Sequence, residues 1–225
     1  SNITIEVISF KIKRIMENTT LMKPYTILAN GQFPVHPFPL DILHNSQTII
    51  CTDGSANSLI DKGINPNVII GDMDSLLIDN KTFSGQFIKD PNQENTDLEK
   101  AFEWSIKNKI NTINVLGASQ KREDHSFGNL YLLSKYCDLL NLTYVTDYFS
   151  ITCHEGNRIF SSFKNQLVSI LPVKHIQHVS TESLKYNLSD EELPISSRGI
   201  SNQSLSDNFT INSSGKIWVF RSHSK

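Results

Sequence analysis

Two carboxylates one residue apart follow an apolar run in Val68-Ile69-Ile70-Gly71-Asp72-Met73-Asp74-Ser75. In extended backbone, residues i and i+2 project to the same side, so Asp72 and Asp74 can aim at one point beyond a strand end. Left unpaired they repel each other. A hard cation bound through oxygen resolves that repulsion, and Mg²⁺ shared with phosphate oxygens is the usual combination. The alternative is a turn in which Asp74-Ser75 caps the next helix. Three more segments share the pattern of a strand followed by an acidic turn. In Thr52-Asp53-Gly54-Ser55-Ala56-Asn57, Gly54 permits a tight turn and close backbone approach, and the next helix N-terminus could face an anion. Strand-Asp-Gly is also an ordinary turn, and no GxxxxGK[ST] phosphate loop occurs. In the stretch Asn92 to Lys100, Thr96 and Glu99 have capping-box spacing. Asp97 there suits the first turn of a helix or serves as a third oxygen ligand, while Gln93 has no evident structural duty. In the stretch Gly117 to His125, Arg122 is suited to bidentate phosphate contact beside helix amides. Asp124 can instead be only an N-cap, and His125 only a packing residue.

These turns converge only if the strands before them are adjacent and parallel. Short apolar runs at Tyr25–Ala29, Gln47–Cys51, Val68–Ile70, Gln86–Ile88, Asn111–Leu116 and Leu142–Thr146 read as strands. Helical patterns separate several of them, the clearest at Asp97–Lys107 and His125–Leu139, which implies an α/β layer with a mainly parallel sheet. Ligands then belong at the carboxyl ends of the strands. After about Tyr148 the texture turns β-branched and polar. Segments 149–153, 158–161, 166–173, 176–182, 208–212 and 216–221 read as strands separated by turn signals at Glu155-Gly156-Asn157, Ser189-Asp190 and Ser213-Ser214-Gly215. This is a second, all-β domain. The expected division is 22–147 for the α/β domain and 148–225 for the β domain. Residues 1–21, in which Ile3, Ile5 and Val7 alternate as in a strand, read as an upstream extension or an expression-derived segment.

Composition narrows the function class. The 225 residues carry 21 Lys+Arg and 23 Asp+Glu, a balance of 21 − 23 = −2, which argues against a nucleic-acid binder held by counterion release. Between Thr52 and Glu99 nine acidic residues meet three basic ones, 3 − 9 = −6, leaving +4 elsewhere. Such a region repels an anionic ligand unless cations intervene. Absence of any apolar run near the ~20 residues of a membrane span points to a soluble, cytoplasmic protein without a membrane partner. Cys51, Cys137 and Cys153, odd in number and without CxxC spacing, read as packed thiols. His175 and His178 fall on opposite sides of a strand, Trp104 and Trp218 read as core, and Lys107 and Lys109 complement a helix dipole.

Taken in order, these motifs resemble the thiamin pyrophosphokinase family. The match opens with Ala29-Asn30-Gly31-Gln32-Phe33-Pro34 and continues through Asp53 to Asn57, Gly71 to Ser75, and Gln93-Glu94-Asn95-Thr96-Asp97. It then takes in Arg122-Glu123-Asp124-His125 with Asn129, Leu184-Lys185-Tyr186-Asn187-Leu188, and Gly199-Ile200-Ser201-Asn202. The resemblance implies a nucleotide-binding α/β domain followed by a β-sandwich, a homodimer with thiamin between subunits, and diphosphate transfer from ATP to thiamin. It implies Asp72, Asp74 and Asp97 at an Mg²⁺–phosphate centre with Asp53, Gly54, Ser55 and Asn57 nearby. Arg122, Asp124, His125 and Asn129 would hold ATP. Gln93 and Thr96 would lie on the thiamin side, with Tyr186, Ser201 and Asn202 completing the pocket from the partner chain. Two departures stand out: Ser55 where the family often has glycine, and Ser119-Gln120-Lys121 in place of a glycine-rich loop. Rival readings are another Mg²⁺-dependent phosphotransferase or phosphatase, which leaves Gln93 and the β-domain motifs idle, and a thiamin or nucleotide sensor without turnover.

Overall fold

The computed structural model describes residues 21–74, 76–77 and 83–223; Ser75 of the acidic turn and the alternation at Ile3, Ile5 and Val7 lie outside them. Six strands form its first half: β1 (Tyr25–Leu28), β2 (Thr48–Thr52), β3 (Val68–Gly71), β4 (Gln86–Lys89), β5 (Thr112–Leu116) and β6 (Asn141–Val145). They lie parallel in the order β4-β3-β2-β1-β5-β6. The central strands β2 and β3 are short and fully buried because both faces of such a sheet are covered. Alternate residues serve the two faces. Ile27, Ile50, Ile70 and Val115 pack with Leu98, Phe102, Leu133 and Tyr136, and Leu28, Ile49, Ile69 and Leu116 pack with Leu43, Ala56 and Leu59.

Those partners come from four helices: α1 (Pro37–His44), α2 (Asp53–Ile60), α3 (Asp97–Lys107) and α4 (Glu123–Tyr136). Two of them start on a side-chain cap. Pro37 stands at the first turn of α1, where its missing N–H costs nothing, and His36 Nδ1 accepts from Phe38 N at 3.1 Å. Thr96 caps α3 by accepting from Glu99 N at 3.3 Å, as its spacing predicts. Trp104 packs on the core beneath this helix, and Trp218 donates to Ser134 Oγ at 2.7 Å.

Beyond β6 the sheet turns antiparallel. β7 (Phe149–Ser161) pairs with β6 and with β12 (Asn208–Ser222). The other edge of β12 is shared, its first half by β9 (Ile176–Glu182) and its second by β8 (Leu167–Pro172). β10 (Glu191–Leu193) flanks β9, and β11 (Asn202–Gln203) flanks β8. A separate core of Phe160, Val168, Ile170, Val179, Phe209, Ile211 and Val219 fills this half. The turn signals at Glu155-Gly156-Asn157 and Ser213-Ser214-Gly215 do not end strands. Gly156 takes φ +84° and the β12 register slips between Ser213 and Ile217, so two facing irregularities bend one continuous ladder. His175 and His178 hold no shared site; each meets its own carboxylate, Glu192 at 3.5 Å and Asp190 at 2.9 Å. Among the described residues no helix is long and apolar enough to cross a membrane.

Candidate active site

Strand order reverses between β1 and β5, since the chain runs outward from β1 to β4 and then returns to β1's other edge. Crevices at such switch points are where open α/β sheets bind ligands. The two loops leaving these strands are laced together: Ala29 N donates to Leu116 O at 2.8 Å, Gly31 N to Gly117 O at 2.7 Å and Gln32 N to Ser119 O at 3.0 Å. Gly31 is required there, because a Cβ would stand 2.3 Å from Gly117 O. Beside this lacing opens a cleft of about 190 Å³, walled by Asn30, Thr52, Thr96, Asp97, Lys121, Arg122, His125 and Asn129. The end of β2 and residues after β1, β4 and β5 therefore meet at one mouth, while the acidic turn after β3 does not line it.

Asp53 is the buried member of the acidic group. It opens α2, is 3% exposed, and accepts from Gly54 N at 2.5 Å through Oδ1. Its Oδ2 is buried without a hydrogen-bond partner. Burial first, and then the negative charge of Asp97, raise its pKa from 3.8 to about 6. Gly71 makes room for it, since a Cβ there would lie 2.9 Å from Asp53 Cγ. Asp72 neighbours Asp53 and is shifted the other way, held low chiefly by the amide of Asp74. That amide donates to Asp72 Oδ1 at 3.2 Å, and Gln93 Nε2 donates to Oδ2 at 3.3 Å. The structure thus gives Gln93 a partner in the acidic turn itself.

Asp97 is paired, not free. Lys100 Nζ approaches its Oδ1 at 3.0 Å, and the Lys100 side chain is only 3% exposed. Asp74 is exposed. Among the described residues no three His, Cys, Asp or Glu side chains form a group placed to hold a metal ion. Asp53 is an electrostatic neighbour of both Asp97 and Asp72, and Asp74 meets Asp72 through its backbone amide. The unsatisfied buried oxygen of Asp53 is the feature that a cation would fit, because it has no donor of its own and two carboxylates for neighbours.

The opposite wall is basic. Arg122 precedes α4 and grips Asp124 with two bonds, Nε to Oδ1 at 3.1 Å and Nη2 to Oδ2 at 2.6 Å. That pair lowers the Asp124 pKa to about 2. Lys121, at φ +66°, donates to Asn30 Oδ1 at 3.0 Å, so the residues replacing a glycine-rich loop reach the mouth in left-handed backbone. His125 is exposed on the cleft wall. Asn129 is buried and donates to Ala118 O at 2.7 Å, fixing the loop.

Three candidates take structural duties. The Ser55 hydroxyl is turned away from the cleft, with Leu28 O at 2.6 Å and Thr52 O at 2.8 Å, so it pins α2 to β1. Asn57 Oδ1 accepts from Leu77 N at 3.0 Å. Gly54 packs so tightly on Asn30 that a Cβ would be 2.2 Å from its Nδ2. In the β half, Asn202 is buried and clamps Tyr186, accepting from its N at 3.1 Å and donating to its O at 2.7 Å. Tyr186 itself is 64% exposed, and Ser201 sits beside this clamp at φ +63°. None of these three lines the cleft of its own chain. Asn30 and Lys100 were missed as site residues. Lys100 follows Asp97 at i+3 on a helix, a spacing that ordinarily marks a solvated surface pair.

Two family models match the chain. Residues 40–143 match the model for the thiamin pyrophosphokinase catalytic domain, and residues 150–218 match the model for the vitamin B1 binding domain of thiamin pyrophosphokinase. A thiamine pyrophosphokinase of Bacillus subtilis is 28% identical over 119 residues, 51% of this chain and 56% of the relative. Thiamin pyrophosphokinase 1 of Caenorhabditis elegans is 31% identical over 98 residues, 40% of each chain. The chain thus spans about half the length of the curated relatives it matches. The solved structure of the B. subtilis protein superposes with a TM-score of 0.75 at 21% identity, over 89% of this chain and 99% of that one, a likeness of fold.

Proposed function

Because the chain belongs to the thiamin pyrophosphokinase family, we propose that it transfers a diphosphate group from ATP to the hydroxyl of thiamin and releases AMP. The observation that supports this is the cleft at the switch point lined by Asp97, Lys121 and Arg122, with Asp53 an electrostatic neighbour of both Asp97 and Asp72. Asp72, Asp74 and Asp97, with Asp53 beside them, are the residues that would hold Mg²⁺. When bound, the ion screens the phosphates and stabilises charge developing on the transferred group. Arg122 and Lys121, at the start of α4, draw the triphosphate to the far wall. Arg122 is held in a fixed orientation by Asp124, which suits bidentate contact. Gln93, hydrogen-bonded to Asp72, places the acceptor side of the reaction next to the acidic group. Positioning and electrostatics carry most of such chemistry, so no strong base is assigned.

The domain reading goes with it: 22–147 handles ATP and Mg²⁺, and 148–225, a β-sandwich, handles thiamin. Tyr186 and Ser201 lie outside the cleft of their own chain, which supports a homodimer in which the partner's β domain closes the thiamin pocket and Tyr186 offers a flat face to the cationic thiazolium. The three unpaired thiols suit a cytoplasmic setting. Purified protein given ATP, Mg²⁺ and thiamin should yield AMP and thiamin diphosphate in equal amounts. ADP would mark an ordinary kinase, and tight binding without turnover a sensor.

A further inference from the structure

Cys137 caps the C-terminal end of α4 and is half-buried, while Cys153 lies buried in β7. Both pack on the core that also holds Leu133 and Ile151. Ser134 stands beside both. Its carbonyl accepts from Cys137 Sγ at 3.4 Å, and its hydroxyl neighbours Cys153. The same hydroxyl accepts at 2.7 Å from Nε1 of Trp218, the residue opposite Cys153 in the pairing of β7 with β12. The Cys153 thiol is hydrogen-bonded to the sulfur of Cys137. A cation completes the cluster: Lys216 Nζ donates to Ser134 O at 3.0 Å and to Asp138 Oδ2 at 2.6 Å, and its charge reaches both thiols. The Cys153 hydrogen bond first, and then Lys216, hold the Cys137 thiol below its ordinary range against burial and the charge of Asp138. The shift of Cys153 is upward, so Cys137 is the member that ionises. Oxidant-sensitive thiols have this setting, an accessible thiolate beside a cation with a second thiol in reach. Cys51 has none of it: it is fully buried on the other face of the parallel sheet, and burial pushes its thiol up to about 12.

We propose that Cys137 and Cys153 form a site of reversible oxidation, at which hydrogen peroxide joins the two thiols in a disulfide that fastens the end of α4 to β7. The Cys137 thiolate attacks one peroxide oxygen and the O–O bond breaks. The departing hydroxide takes a proton and leaves as water, and Cys137 becomes a sulfenic acid. The Cys153 sulfur then displaces the hydroxyl group from the Cys137 sulfur, and its thiol proton leaves with that hydroxide as a second water. Two electrons pass from the thiols to the peroxide, and a dithiol reductant returns them by exchange. Cys137 and the cleft residue Arg122 stand at opposite ends of α4, so the pair is separate from the polar cleft.

The test treats the reduced full chain with hydrogen peroxide, counts the remaining thiols over time and maps unreduced peptides by mass spectrometry. Cys137 and Cys153 should disappear together into one linked peptide pair within a single chain, Cys51 should stay free, and dithiothreitol should restore both thiols. Cys153→Ser should stop at a Cys137 sulfenic acid that dimedone traps. Cys137→Ser should lose thiols about tenfold more slowly and form no disulfide. Lys216→Gln keeps both thiols and should slow the first step roughly fivefold, a change that packed, inert cysteines would not show. The proposal is overturned if no peptide joining Cys137 to Cys153 forms, if the disulfide links two chains, or if Cys51 reacts before Cys137. Should Cys153→Ser fail to fold, the peptide map of the wild-type chain decides alone.

Discussion

Asp53→Asn, studied in metal-free buffer containing EDTA, should make the chain more stable at neutral pH. Asp53 titrates near 3.8 when unfolded and near about 6 when folded, because its Oδ2 is buried without a donor and Asp97 is charged nearby. Below pH 3.8 both states carry the proton and no penalty exists. Between 3.8 and 6 the unfolded state releases its proton first, so stability falls as pH rises, and above 6 the loss is complete. At about 1.4 kcal/mol per tenfold in proton affinity, the full loss is about 3 kcal/mol as an upper bound. Asparagine keeps the acceptor for Gly54 N and removes the charge, so most of that should return. Urea melts at pH 4, 5, 6 and 7.5 should show the variant ahead by about 2–3 kcal/mol at pH 7.5. The difference should close toward pH 4. Added Mg²⁺ should raise wild-type stability through binding to the native state and leave the variant nearly unaffected. A variant less stable than wild type at pH 7.5, or a gap that persists at pH 4, would refute the assignment of an unsatisfied carboxylate at this position.

Asp72→Asn should lower kcat for AMP release by about 100-fold or more with an unchanged melting temperature, and near-normal turnover would remove Asp72 from the site. Tyr186→Ala should raise the thiamin KM about tenfold with the ATP KM unaltered, a split that a purely structural tyrosine would not give. Gly31→Ala, which drives a Cβ to 2.3 Å from Gly117 O, should cost about 1–3 kcal/mol in urea melts and loosen the laced loops. An unperturbed melt would show that the two loops can separate freely.

The six parallel strands were legible because each is a short apolar run followed by a polar turn, and the acidic turns were legible because they sit directly on those ends. Helix α1 was hidden by Pro34, Pro37 and Pro39, which read as an irregular stretch, although Pro37 occupies a position where proline is tolerated. In the sequence β7 and β12 each look like two strands, since glycine and serine signal both a turn and a bulge, and only the partner strand decides between them. In the site, residue type identified the charged members but not their burial. Asp53 stands apart from Asp72 because Gly71, eighteen positions away, leaves it space. Ser55 and Asn202 carry polar groups that suit a ligand as well as a backbone carbonyl, and here neighbouring strands claim them.

β7 and β12, thirteen and fifteen residues long, are paired from Phe149 with Ser222 to Ser161 with Asn208, and β7 is also hydrogen-bonded to β6. This splint joins the two halves of the chain without a hinge, and a jaw-like swing between them would have to tear consecutive backbone hydrogen bonds. Substrate enclosure must then come from short surface loops or from the arrival of another subunit. Under the proposed dimer, engagement of the acceptor is tied to assembly, and dilution below the association threshold should silence the chain without unfolding it.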